Sequence, residues 1–182
     1  AADLAALAAA AEQAAIYARD HVADPRYMEL EVSEILSENR IAATRNRIKS
    51  TSDIARLYWQ YDYEELVLIH DGNTTHLSVI DEDGNAVALT QTINSFFGSG
   101  VMVGELGLML NNEMFDFDFS EGSVNLPGPG KIPRSSMAPV LVFRDGHLVG
   151  TIGTPGGTRI PQSLARIISG KIDFDLSLQD AI

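Results

Sequence analysis

The chain has 182 residues, 45% hydrophobic and 21% charged, which is an ordinary balance for a globular domain with a sizeable core. Its net charge of −12 argues against binding to nucleic acids or to anionic membrane surfaces, because both would repel it. The absence of cysteine excludes disulfides, thiol catalysis and cysteine-ligated metals.

The first part of the chain predicts helices. Residues 2–22 are rich in alanine and lack glycine and proline, which favours one long helix, and Asp24-Pro25 predicts its end. A second helix is predicted from Ser33, acting as N-cap, to about Ile48. The apolar residues expected on its buried side are Ile35, Leu36, Ile41 and Ile48. Residues 51–65 fit a short helix and an exposed connector equally well.

After residue 66 the pattern changes to that of strands. Leu66–Ile69 and Leu106–Leu110 are short strand candidates. Leu77–Asp81 and Ala86–Ile93 predict two strands joined by a tight turn at Asp83-Gly84-Asn85. The following residues 116–134 are rich in glycine and proline and predict a loop.

A second hairpin is predicted from Val140–Phe143 and His147–Ile152, which flank Asp145-Gly146. A helix from about Pro161 to Ile168 follows, with proline in an acceptable first-turn position. The last residues, Ser177–Ile182, are typical of the first turns of another helix, and the first residue is not Met, so a fragment of a longer chain is expected. Helices, then antiparallel hairpins, then a helix predict a layered α+β fold.

Thr74 follows Asn73 at a glycine-containing turn and opens a strand-like run. Taken alone, it fits an ordinary strand entry. The alternative is a nucleophile, because a threonine hydroxyl can be activated by its own α-amino group, whose pKa of about 7.7 to 8.0 suits a general base. That role requires cleavage of the Asn73–Thr74 bond and would make the chain a self-cleaving amidohydrolase precursor.

Gly156-Gly157 lies between a predicted strand and a predicted helix. Two backbone N–H groups there could stabilise an oxyanion, aided by the positive end of the helix behind them. The plain alternative is a turn that needs positive φ. Ser135-Ser136, which follows the loop, could hold a carboxylate or be ordinary loop serines.

A polar run past a strand end fits a cationic amino group of a substrate, or simply a polar turn; it comprises Asn111, Asn112, Glu113 and Asp116. Thr92 and Asn94 close a predicted strand, where threonine is a normal residue. The four histidines show no zinc-binding spacing, and no phosphate-binding or dinucleotide motif is present, so neither a metal nor a cofactor is expected.

Together and in order, these segments resemble γ-glutamyltranspeptidase. The matching strings are Thr74-Thr-His-Leu-Ser-Val-Ile-Asp-Glu-Asp-Gly-Asn-Ala-Val-Ala88, Thr92-Ile-Asn94, Leu110-Asn-Asn-Glu-Met-Phe-Asp116, Pro133-Arg-Ser-Ser-Met-Ala-Pro139 and Gly153-Thr-Pro-Gly-Gly-Thr-Arg159. The likeness is dense over 74–182, weaker over 14–50 and poor over 51–70.

The resemblance implies a four-layer αββα sandwich of the N-terminal-nucleophile hydrolase type, incomplete in this fragment. It implies a zymogen that cuts itself between Asn73 and Thr74, so that 1–73 ends the large subunit and 74–182 forms the first and central part of the small, catalytic subunit. Thr74 would then attack γ-glutamyl amides such as glutathione, and the γ-glutamyl-enzyme ester would pass to water or to an amino-acid or peptide acceptor. The activity would be that of a hydrolase and acyltransferase in glutathione metabolism, periplasmic or secreted.

The same resemblance assigns roles to the candidate residues. Thr92 would hydrogen-bond the Thr74 hydroxyl, and Gly156 and Gly157 would form the oxyanion hole. The glutamyl end of the substrate would be held by Asn94, Glu113, Asp116, Ser135 and Ser136, with Asp116 favoured for the ammonium and the serines for the carboxylate.

Some departures from the family remain. The large-subunit arginine that pairs with the substrate carboxylate in the family is expected upstream of this fragment, and the last part of the small subunit is expected beyond Ile182. Half of the substrate pocket is therefore expected to be absent, so this fragment alone is expected to be inactive. The loop between Asp116 and Ser135 is shorter than the lid-bearing loop of many members, which predicts a more open site that admits polymeric γ-glutamyl substrates. Two alternatives stay open: a related acylase that cleaves another acyl amide, such as a glutaryl amide, and an unprocessed, catalytically silent member.

Overall fold

The computed structural model describes residues 2–50 and 73–182 of the chain. They form two compact units. The first contains the described part of 1–66 together with 114–134, and the second contains the described part of 67–113 together with 135–182. The sequence predictions for 51–65 and for Leu66–Ile69 lie outside the described residues.

The first unit contains helix α1, Ala2–His21, as the alanine-rich sequence predicts. Asp24 and Pro25 end it and start a short 3-10 helix, Pro25–Tyr27. Two further helices follow, α2 at Val32–Ile35 and α3 at Glu38–Ser50. Among the described residues, no helix has the length and hydropathy needed to cross a membrane.

The prediction of one continuous second helix from Ser33 to about Ile48 is wrong. The helix starts at Val32 without a side-chain cap and breaks after Ile35, and α3 starts anew at Glu38. The predicted buried side is also wrong in part, because Leu36 and Ile41 are 67% and 43% exposed. Apolar spacing predicts a face that can be buried, but only a packing partner buries it.

A buried carboxylate, Asp24, organises the first unit. It accepts hydrogen bonds from the backbone and guanidinium of Arg26 and from the backbone N–H of Ile132, at 2.7–3.1 Å. Arg26 also donates to the carbonyl of Gly130 at 2.7 Å, and Arg134 donates to the carbonyl of Arg19 near the end of α1 at 3.1 Å. The predicted loop over 116–134 is therefore present and is fixed to the segment that follows α1.

The second unit begins with the first predicted hairpin. Strand β1, Thr74–Ile80, pairs antiparallel with β2, Ala86–Thr92. Asp81 closes the turn, since its carboxylate accepts the backbone N–H groups of Asp83 and Asn85. The turn prediction is confirmed because Gly84 takes the positive φ that such a turn requires.

The strand predicted at Leu106–Leu110 is only partly present. Two short strands form instead, β3 at Met102–Val103 and β4 at Leu108–Met109. Gly107 adopts a φ of 64° and turns the chain between them, so Leu106 lies in the turn. A 3-10 helix, Glu113–Asp116, follows.

The second predicted hairpin is also present. Strand β5, Val140–Arg144, pairs antiparallel with β6, His147–Ile152. Helix α4, Ile160–Ile172, begins earlier and runs further than predicted. A short helix, α5 at Leu178–Ala181, packs on it where Ala181 meets Gly170. The α+β class expected from the order of elements is the class of the described structure.

Candidate active site

The candidate cleavage bond, Asn73–Thr74, lies where the first hairpin opens. Thr74 is the first residue of β1 and pairs with Thr92, the last residue of β2. The Thr92 hydroxyl donates to the carbonyl oxygen of Asn73 at 3.3 Å and accepts the backbone N–H of Asn94 at 2.9 Å. The backbone N–H of Asn73 donates to the carbonyl of Asn94 at 3.1 Å. Both residues of the candidate cleavage bond are therefore fixed by the end of β2 and the residues that follow it: Asn73 by hydrogen bonds and Thr74 by strand pairing.

The side chain of Asn112 joins the two segments that contain Asn94 and Glu113. It accepts the backbone N–H of Ser95 at 2.9 Å and donates to the Ser95 hydroxyl at 2.8 Å. Asn94 itself adopts a φ of 71°, an uncommon conformation that asparagine tolerates better than most residues. The structure therefore brings the segments of two predicted substrate-binding residues together beside the candidate nucleophile's hairpin.

Gly156 and Gly157 form the turn between β6 and α4. Their φ values of 138° and 56° lie in the range that favours glycine. The hydroxyl of Ser136 donates to the carbonyl of Gly157 at 2.8 Å, so the serine pair and the glycine turn are neighbours. Ser135 is exposed, and its hydroxyl accepts the backbone N–H of Met137 at 3.2 Å.

Asp116 belongs to the first unit, where the fully buried Asn125 fixes its backbone. Asn125 donates to the carbonyl of Asp116 at 2.7 Å and accepts the backbone N–H of Arg134 at 3.1 Å. Nearby, hydrogen bonds from Ser120 and Ser123 lower the pKa of the Asp118 carboxyl. These contacts set the shape of the segment that carries Asp116.

One residue in the strand of Thr74 received no role from the sequence. His76 lies two positions after Thr74, on the same face of β1, and its ring contacts the hydroxyls of Thr90 at 2.8 Å and Ser78 at 3.0 Å. The period-two alternation of a strand was the signal that could have placed it beside Thr74. No group of three or more His, Cys, Asp or Glu side chains that could hold a metal occurs within 2–50 and 73–182.

An α+β fold with a candidate nucleophile at the start of a strand is typical of N-terminal-nucleophile hydrolases. Residues 2–182 match the profile of the family described as Gamma-glutamyltranspeptidase. The chain belongs to the γ-glutamyltranspeptidase family.

Individual relatives agree with this family. The chain is similar to the glutathione hydrolase proenzyme of Pseudomonas sp. (strain A14), at 34% identity over 173 residues, covering 89% of this chain and 29% of that protein. It is also similar to the acylase ACY 1 proenzyme of Pseudomonas sp. (strain SE83), at 40% identity over 110 residues, covering 60% of this chain and 20% of that protein. The chain thus spans less than a third of these relatives' lengths.

Among solved structures, the chain is similar to the γ-glutamyltranspeptidase of Pseudomonas nitroreducens complexed with L-DON. The TM-score is 0.57 at 44% identity, and the likeness covers 59% of this chain and 61% of that one.

Proposed function

We propose that this chain is part of a γ-glutamyltransferase and glutathione hydrolase that matures by cutting itself between Asn73 and Thr74. The hydroxyl oxygen of Thr74 attacks the Asn73 carbonyl carbon, and the C–N bond breaks to leave an ester and a free α-amine. Water then hydrolyses the ester and restores the hydroxyl. The products are a large subunit ending at Asn73 and a small subunit beginning at Thr74.

The observation that carries this proposal is the hydrogen bond from the Thr92 hydroxyl to the Asn73 carbonyl at 3.3 Å. Negative charge develops on that carbonyl oxygen during the attack, and a donor already in place stabilises it. The same contact would also satisfy a backbone carbonyl at an ordinary strand entry, and the two readings differ in whether the Asn73–Thr74 bond is cut. The family's proenzyme relatives support the same reading.

In the mature enzyme, the α-amine of Thr74 serves as general base for its own hydroxyl. The hydroxyl attacks the γ-carbonyl of a glutamyl substrate such as glutathione, and the amine of the leaving group departs. The resulting γ-glutamyl ester passes to water or to an amino-acid or peptide amine. Gly156 and Gly157 supply N–H groups to the oxyanion of this second reaction.

The glutamyl part of the substrate is proposed to bind at two kinds of group. Carboxylates and amides take the α-ammonium, with Asp116 favoured, and hydroxyls take the α-carboxylate. The proposed residues are Asn94, Glu113, Asp116, Ser135 and Ser136. Cleavage of the large subunit from the small leaves 1–73 and 74–182 as partners within one mature protein.

The described hairpin also supports a larger sandwich in the whole protein. The cross-strand pairs Leu77–Leu89 and Val79–Val87 lie on the face of β1 and β2 opposite Thr74, and these four side chains are 41–55% exposed. A two-stranded hairpin with an apolar face needs a covering layer. We propose that the four-layer αββα arrangement of the family supplies it.

A related acylase is the second candidate, favoured by the similarity to the acylase ACY 1 proenzyme. The two functions differ in what the substrate carries beside the acyl carbonyl. A glutaryl group lacks the α-ammonium, so it would leave the carboxylates of Glu113 and Asp116 without their cation. Comparing γ-glutamyl and glutaryl anilides of the same amine separates the two candidates.

The decisive experiment is an intact mass measurement of the full gene product that contains this sequence, after incubation at neutral pH. We expect two species that meet at Asn73 and Thr74. Thr74→Ala should abolish both cleavage and turnover, whereas Thr74→Ser should retain part of each because the hydroxyl and the amine survive. A single uncut, inactive species would instead identify a silent family member.

A further inference from the structure

The two hairpins of the second unit are joined by a row of polar side chains. On the first hairpin, the His76 ring bridges the hydroxyls of Thr90, through Nδ1 at 2.8 Å, and of Ser78, through Nε2 at 3.0 Å. The Ser78 hydroxyl lies 3.2 Å from the hydroxyl of Thr151 on β6. The row therefore connects the strand that begins at Thr74 with the strand that leads to the glycine turn.

The backbone of Gly153 packs directly against the ring of His76. A Cβ atom at Gly153 would collide with the Cε1 and Nδ1 atoms of that ring. Gly153 is not among the glycines with positive φ, so glycine is needed here for space and not for its conformation. Because Gly153 directly follows β6, the ring limits how closely the chain entering Gly156 and Gly157 can approach β1.

We propose that His76 is a positioning residue for the glycine turn, Gly156-Gly157, and this inference rests on the proposed function, in which that turn forms the oxyanion hole. Its ring, held by Thr90 and Ser78, sets the spacing between the strand of Thr74 and the segment that leads to Gly156 and Gly157. The ring itself does not transfer a proton to the substrate. It acts through the backbone that it supports.

Spacing of this kind affects the transition state more than the bound substrate. Oxyanion donors act at about 2.7 to 3.1 Å from the charge that develops, and a misplacement of about 1 Å can cost about 100-fold in rate. Ser136 is hydrogen-bonded to Gly157, but four further residues are proposed to hold the glutamyl end, so its binding should change much less than the rate. Loss of the ring should therefore lower kcat and leave KM nearly unchanged.

The test uses the full gene product with γ-glutamyl p-nitroanilide as substrate. His76→Ala and Gly153→Ala should each lower kcat by about 10-fold or more, with KM within about twofold of the wild type. His76→Asn should retain more activity than His76→Ala, because its amide can replace the contact to Thr90. Gly150→Ala is the matched control, because Gly150 lies on β6 shortly before Gly153 and a Cβ there meets no atom within 4 Å.

Two outcomes would overturn the proposal: an unchanged kcat in His76→Ala, or equal losses in His76→Ala and His76→Asn that follow a common drop in thermal midpoint. The contact itself is tested without turnover by a double-mutant cycle on the thermal midpoint. Gly153→Ala should lower the midpoint in the wild type but not in the His76→Ala background, and additive losses would refute the contact. A third outcome is that the cycle shows coupling between His76 and Gly153 while the wild-type protein turns over no γ-glutamyl substrate. That result would confirm the contact but refute both the proposed function and the positioning role of His76.

Discussion

The hydroxyl of Thr92 is oriented toward the carbonyl of Asn73 before any bond is cut. The backbone N–H of Asn94 donates to that hydroxyl at 2.9 Å, which leaves the hydroxyl proton for the Asn73 oxygen at 3.3 Å. The family resemblance implies a hydrogen bond from Thr92 to the Thr74 hydroxyl, which stays a prediction for the cleaved protein. Thr92 can make both contacts at different times. Its hydroxyl donates to the Asn73 carbonyl before cleavage, and we expect it to bind the Thr74 hydroxyl after cleavage.

Thr92→Val should slow self-cleavage, because valine keeps the shape of threonine but cannot donate to the developing oxyanion. Removing one such donor in other enzymes costs about 100- to 1,000-fold in rate, and a loss near the lower figure is expected here because the ground-state contact is long. The measurement is a time course of precursor and subunits by mass spectrometry. Thr92→Ser should cut at a rate close to the wild type.

Thr75→Val serves as the control for this variant. Thr75 neighbours the bond in sequence, but it lies on the opposite face of β1, where it pairs with Gln91. Its cleavage rate should match that of the wild type. Equal slowing in Thr92→Val and Thr75→Val would show that the effect comes from the strand and not from the donor.

Asn125→Ala should destabilise the protein by about 1 to 3 kcal/mol, because it leaves the half-buried carbonyl of Asp116 and N–H of Arg134 without these partners. Urea denaturation measures the loss. Since Asp116 is the proposed ammonium ligand, KM for γ-glutamyl substrates should also rise. Asn85→Ala, which removes contacts confined to an exposed turn, should cost less and leave KM unchanged.

Local chemistry explains which parts of the fold the sequence could predict. The turns at Asp83-Gly84-Asn85 and Asp145-Gly146 were predictable because the residues that adopt positive φ lie within the turn itself. The contact between the His76 row and the second hairpin was not predictable, because Ser78 and Thr151 are 73 positions apart in the sequence. The prediction that Leu36 is buried was wrong for a similar reason, because burial depends on packing partners that the spacing of apolar residues cannot identify.

The loop between Asp116 and Ser135, which the family resemblance predicts to be shorter than the usual lid-bearing loop, leads to a prediction about substrate size. A site without a long lid should admit a chain that extends beyond one glutamyl residue. The full gene product should therefore release product from a long γ-glutamyl polymer at a rate comparable to that from glutathione. Turnover of glutathione without any polymer cleavage, measured by liquid chromatography, would contradict the open site.

The buried carboxylate of Asp24 should stabilise the folded protein at neutral pH, and this contribution should be lost in acid. Hydrogen bonds from the Arg26 side chain and from the backbone N–H of Ile132 hold the pKa of Asp24 well below its usual range. A carboxyl whose pKa is lower in the folded than in the unfolded state contributes its full stabilisation above the unfolded value, about 3.9, and loses it as the pH falls toward the folded value. The thermal midpoint of Asp24→Asn should thus lie below that of the wild type by a constant margin from pH 8 to about pH 5, and the margin should shrink below about pH 4. Asp20→Asn, which removes a carboxylate whose side chain is 46% exposed, should show a much smaller margin, and a margin for Asp24→Asn that grows on acidification would contradict the argument.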